Sequence, residues 1–137
     1  MDKVLVDTNI VIDLLAKRVP FYKEAQELFT LADYNKVKLY VSTLTFADTH
    51  YILTTKYKFD TARKLLMKFK MLVTVLPFDD KILDLVLVSD FKDFEDAIQF
   101  YIASENSMNI IVTRNKNDFI PSSIPIFTAK EYLSRIL

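Results

Sequence analysis

A chain of 137 residues with 51% hydrophobic and 26% charged residues has enough apolar surface for one folded domain, residues 1–137, and lies far from the composition of a disordered segment. It contains no Cys, no Gly and a single His, His50, which excludes disulfides, thiolate chemistry, Cys-based or His-rich metal sites and any glycine-rich phosphate loop. Eighteen basic residues balance eighteen acidic ones, so no net field draws in nucleic acid, and no apolar run approaches the ~18 residues of a membrane span.

The N-terminus, Met1-Asp2-Lys3 before a short apolar run, lacks the features of a signal peptide, so a cytoplasmic location and no membrane association are expected. Residues 3–6 read as a short buried strand. Residues 10–16 follow as a helix, with Ile10, Val11, Leu14 and Leu15 at helical spacing. Pro20 suits the first turn of a second helix, whose apolar face is Ala25, Leu28, Phe29 and Ala32. Leu39-Tyr40-Val41 is a second strand, and Ser42 is placed to cap a helix reaching about residue 54.

Asp60 is a candidate cap for the next helix, with Ala62, Leu65, Leu66 and Phe69 inward, and residues 72–76 read as a third strand. Asp79 or Asp80 opens a helix to Leu87, and another runs from about Phe94 to Glu105. Residues 110–112 form a strand without a polar break, as in the middle of a parallel sheet. Ile126-Phe127 adds an edge strand, and Thr128-Ala129-Lys130-Glu131 is a capping box for the last helix. Strands alternating with helices mean an α/β fold with a mainly parallel sheet.

Four segments bring carboxylates towards the carboxyl edge of that sheet, where open α/β folds bind ligands. Asp7 directly follows the strand Val4-Leu5-Val6; a helix cap and a ligand explain it equally well. Asp13, a turn and a half further on, is expected to be a solvated helix residue. Asp48 lies inside a helix that begins just after a strand, although Asp is a poor mid-helix residue. In Asp93-Phe94-Glu95-Asp96-Ala97, the first two acids suit a helix dipole, whereas Asp96 heads an apolar stripe and should point nearer the core. The turn Thr113-Arg114-Asn115-Lys116-Asn117-Asp118 offers a hydroxyl, amide oxygens, a carboxylate and an Arg. Convergent carboxylates repel one another unless a cation compensates, and oxygen-only donors suit the hard ions Mg²⁺ and Mn²⁺. Such ions support phosphoryl transfer without Cys, His or Gly.

These residues resemble the PIN domains, in particular the stand-alone VapC-like toxins. The resemblance rests on Val4-Leu5-Val6-Asp7-Thr8-Asn9, Tyr40-Val41-Ser42-Thr43-Leu44-Thr45, Asp93-Phe94-Glu95-Asp96-Ala97 and Ile111-Val112-Thr113-Arg114-Asn115-Lys116-Asn117-Asp118-Phe119, in order along nearly the whole chain. It implies a three-layer α/β/α fold and a Mg²⁺- or Mn²⁺-dependent ribonuclease site, with RNA as substrate and a small antitoxin protein and a second copy of the chain as partners. By that resemblance Asp7, Asp96 and Asp118 hold the metal, and Asp48, standing where the family usually has Glu, completes the catalytic acids and helps them hold it. Asn115 replaces a usual acid, with Asp118 three residues on. Thr8, Asn9, Thr113, Arg114 and Asn115 then orient water and phosphate. Two alternatives stay open: a PIN module that binds RNA or a protein without cutting, motivated by Asn115, and an acid-pocket phosphotransfer or phosphatase domain.

Overall fold

The computed structural model describes residues 1–137. Five strands, β1 (Lys3–Val6), β2 (Lys38–Ser42), β3 (Thr74–Leu76), β4 (Ile110–Val112) and β5 (Ile126–Phe127), form one sheet in the order β3-β2-β1-β4-β5. Every neighbouring pair is parallel. Seven helices accompany it: α1 (Thr8–Leu15), α2 (Tyr22–Asp33), α3 (Thr43–Thr55), α4 (Ala62–Lys70), α5 (Asp80–Leu87), α6 (Phe94–Glu105) and α7 (Ala129–Ile136). None is long and apolar enough to cross a membrane.

The period of two in a strand divides the core. Val4 and Val6 of β1 join Leu39, Val41, Ile110 and Val112 under α1, α2 and α7. Leu5, Tyr40 and Ile111 face the other way, onto α5 and α6 through Ile82, Val86, Ala97 and Ile98. The result is the expected three-layer α/β/α arrangement. Its strands step from β1 to β2 to β3, then cross back to set β4 on the other flank of β1. That reversal opens a crevice at the carboxyl ends of β1 and β4.

Several boundaries differ from the sequence reading. The first helix starts at Thr8 because Asp7 caps it, and Ser42 and Thr128 cap α3 and α7 as expected, Thr128 within a full capping box. Pro20 lies in the turn before α2, where the amides of Phe21 and Tyr22 donate to Arg18 O, rather than in the helix itself. Asp60 is exposed and caps nothing; Thr61 precedes α4 without a side-chain cap bond. Leu72 and Val73 close the turn after α4 through amide bonds to Phe69 O and Lys70 O, so β3 begins only at Thr74.

A chain without Gly must place other residues where helices end in the left-handed region. Lys17, Asn35, Lys58 and Ser107 do this, with φ between 52° and 59°. A residue with a Cβ is disfavoured there by roughly 1 kcal/mol. Ser107→Gly is therefore expected to raise the thermal midpoint by about 2–4 °C. A midpoint unchanged or lowered in circular-dichroism melts would contradict this.

Candidate active site

The crevice is a cleft of about 310 Å³ lined by Asp7, Thr8, Asn9, Asp93, Glu95, Asp96, Gln99, Arg114 and Asn115, among others. Asp7 is held from every side. Its amide donates to Val112 O (3.0 Å), which fixes the residue between β1 and β4. Oδ1 accepts from Thr8 N (2.7 Å), and Oδ2 accepts from Thr113 Oγ1 (2.8 Å) and, at 3.4 Å, from Asn9 Nδ2. Cap and cleft residue are thus the same side chain. Burial raises the Asp7 pKa; the bonds from Thr113 and Thr8 pull the other way, and the charges of Asp93 and Asp118 add to the rise.

The tightest group of acids is Asp93, Asp96 and Asp118, each offering an oxygen within 4.8 Å of the others. Asp96 is buried, at 6% exposure, while its partners are exposed, so it does point inward as its place on the stripe implied. Asp118 rides on the short 3₁₀ turn Lys116–Phe119, and its amide donates to Asn115 O (3.0 Å). Its carboxylate joins this group, whereas Asn115, three residues before it, offers only an amide. Asp93, read from sequence as a dipole partner, caps α6 through Asp96 N (2.9 Å) and belongs to the acid group as well. Burial and then the charges of Asp7, Asp93 and Asp118 push Asp96 up to about 8.

Asp48 stands beside this group rather than in it. Its carboxyl meets Glu95, which the sequence reading left as another dipole partner. Partial burial, then the hydrogen bond and charge of Asp48, raise Glu95 to about 7.

Asp13 reverses expectation. It is fully buried rather than solvated, and two guanidinium groups hold it. Arg18 Nε donates to Oδ1 (2.8 Å); Arg114 donates through Nε to Oδ2 (2.8 Å) and through Nη2 to Oδ1 (3.1 Å). Arg114 also stacks on Phe21, 3.9 Å from its ring centre. Nε and Nη2 are committed to Asp13, so Arg114 is held fixed in the cleft wall. The same wall anchors Asn9, whose carbonyl accepts from Arg18 Nη2 (3.0 Å) and whose Oδ1 accepts from Arg114 N (3.3 Å).

None of the chain's ion pairs reaches Asp7, Asp93, Asp96 or Asp118. The group is uncompensated, oxygen-only and partly buried, a donor set that fits a hard divalent cation. An acid with a raised folded-state pKa favours folding below its unfolded value and loses that advantage as pH climbs through the folded value. For Asp96 the window runs from 3.8 to about 8. Chelator-treated protein is expected to melt lower at about pH 8.5 than at about pH 5.5, with millimolar divalent cation closing the gap. Equal cation effects at both pH values would refute the coupling.

A parallel α/β/α sheet with acids gathered at its switch point defines an acid-pocket α/β domain. Residues 3–117 match the family model described as PIN domain, and the chain belongs to that family. It is 28% identical to the protein named Ribonuclease VapC1 of Aquifex aeolicus over 142 residues, covering 98% of this chain and 95% of that one. Among solved structures, the DNA-bound VapBC of Salmonella typhimurium superposes with a TM-score of 0.70 at 20% identity, over 94% of this chain and 99% of that chain. A toxin–antitoxin complex from Klebsiella pneumoniae gives 0.68 at 24% identity, over 92% and 97%. Both likenesses are of fold.

Proposed function

We infer that this protein is a Mg²⁺- or Mn²⁺-dependent ribonuclease that hydrolyses RNA phosphodiester bonds. The observation that carries the reading is the uncompensated group Asp93, Asp96 and Asp118 beside Asp7, at the switch point of a PIN domain. These four acids would hold the cation, with Asp48 acting at one remove through Glu95. A bound divalent cation supplies activation of water and stabilisation of charge on the phosphate.

The chain's own residues then position the substrate. Thr113 and Thr8 N fix the Asp7 carboxylate, and Asn9 is pinned by Arg18 and Arg114. Thr8, Asn9 and Asn115 line the cleft with neutral polar groups suited to phosphate and water. The placement of Asp118 supports cleavage over a module that only binds RNA. The curated relative's name supports ribonuclease activity, and the toxin–antitoxin neighbours support the role of a toxin with an antitoxin protein as partner. A cytoplasmic location and a second copy of the chain as partner are what the PIN resemblance implies.

Incubation of the purified protein with structured RNA and Mn²⁺ or Mg²⁺ tests the reading. Cleavage that chelator abolishes and added cation restores is expected. Cleavage indifferent to chelator, or none with either ion, would sink it.

A further inference from the structure

Beneath Thr8 lies a row of buried polar side chains that cation binding does not use. Gln99 of α6 is 1% exposed, and Ser42 and Thr45 are wholly buried. Gln99 Nε2 donates to Thr45 Oγ1 (2.8 Å) and lies 3.4 Å from Thr8 Oγ1. Ser42 Oγ donates to the same Thr45 oxygen (3.1 Å). Thr45 Oγ1 is in turn 2.8 Å from Thr8 Oγ1.

A hydroxyl has one hydrogen and two lone pairs. With Ser42 and Gln99 both donating to it, the Thr45 oxygen has no acceptor capacity left, so its own hydrogen goes to Thr8. Thr8 accepts on its buried side, which frees its hydrogen for the cleft that it lines. The Gln99 amide sets this direction. Its Oε1 is buried without a partner. Turning the amide over would leave an N–H there instead, and orphaned N–H groups are the rarer of the two.

We propose that Gln99 and Thr45 are positioning residues that fix the polarity of this hydroxyl chain, so that Thr8 presents a donor rather than a lone pair to a non-bridging phosphate oxygen. In a cleft walled by carboxylates, a lone pair would repel that oxygen, whereas a pre-aimed donor favours it. The inference rests on the ribonuclease reading for the source of the phosphate. It distinguishes Gln99, which acts through Thr8, from the acids that hold the cation.

The test titrates Mg²⁺-loaded protein with inorganic phosphate, and in parallel measures RNA cleavage and Mn²⁺ affinity. Thr8→Val should weaken phosphate binding about tenfold to a hundredfold, the worth of one hydrogen bond to a charged group. Gln99→Glu offers only acceptors, takes the Thr45 hydrogen and reverses the chain, so it should match Thr8→Val. The double variant Thr8→Val/Gln99→Glu should be no worse than either, because both act on one hydroxyl. Thr45→Ser should restore what Thr45→Val loses, with Mn²⁺ affinity within about twofold of wild type in the variants that add no charge.

Additive losses in the double variant would overturn the proposal by showing that the new charge acts on its own. Phosphate binding unchanged in Thr8→Val, or absent from the wild type, would overturn it too. Should the buried carboxylate unfold Gln99→Glu, NMR of the wild type decides: Gln99 side-chain N–H cross-peaks to the Thr45 and Thr8 methyls support the chain, and their absence overturns it. If phosphate discrimination follows the predicted order while wild-type protein leaves RNA intact, the ribonuclease reading falls and the donor assignment stands.

Discussion

Asp96→Asn is expected to lower cation-dependent RNA cleavage by about a hundredfold to a thousandfold, the loss typical when a preorganised electrostatic group is removed from a reaction site. Asp7→Asn should act similarly, because its carboxylate faces the same cleft. The informative part is the opposite sign on folding. Asp96 is buried among like charges that push its carboxyl up to about 8. An amide of the same shape removes that repulsion, so cation-free Asp96→Asn should melt above the wild type at about pH 8. Lost activity with a raised melting point separates a site residue from a structural one. Wild-type cleavage by both variants would end the assignment of these acids. Asp48→Asn, one step removed, should cost far less.

The second large effect is on stability. Asp13→Asn leaves two guanidinium groups facing a neutral amide inside α1. Removing one partner of a buried charge pair costs about 3–5 kcal/mol. Arg18 and Arg114 keep 22% and 28% of their side chains exposed, which favours the lower end of that range. The thermal midpoint should fall by about 10 °C. Changing all three residues to apolar ones of similar size should recover most of the loss, since no charge is then stranded. A drop of only a degree or two in Asp13→Asn would show that water, not Asp13, compensates the arginines.

What the sequence made legible had local causes. Residues 3–6, 94–105 and 110–112 match β1, α6 and β4, because an unbroken apolar run and an apolar stripe leave few alternatives. The caps at Asp7, Ser42 and Thr128 were readable from side-chain chemistry at strand ends. Apolar elements beside Asp7, Asp96 and Asp118 placed them towards one sheet edge, and the PIN resemblance singled them out as a set. Asp13 could not be read correctly: a lone Asp on a short helix looks solvated, and Arg114, one of its two partners, lies 101 residues away.

The meeting of Asp48 and Glu95 was hidden by the same distance, since each acid had a sufficient local explanation. Asp93 was hidden by its cap. The density of acids over residues 93–96 was the one signal that more than a helix dipole was at stake. Gln99 and Thr45 were also missed. A Gln in the middle of an apolar stripe is a signal, but its hydrogen-bond direction exists only once Gln99 of α6 meets Thr45 of α3.

The four acids of the site, Asp7, Asp93, Asp96 and Asp118, are tethered unequally. Asp7 is clamped between two central strands, and Asp96 is buried in the first turn of a long helix. Asp118 instead has an exposed side chain, although the short turn that carries it is pinned to the core by Phe119, which is 1% exposed. One side of the socket is therefore fixed by its backbone and the other ends in an exposed side chain on an anchored turn. Ions of different radius can be met by rotation of the Asp118 side chain, and substitutions at its exposed neighbours Lys116 and Asn117 can retune ion preference during evolution while Phe119 keeps the fold as it is.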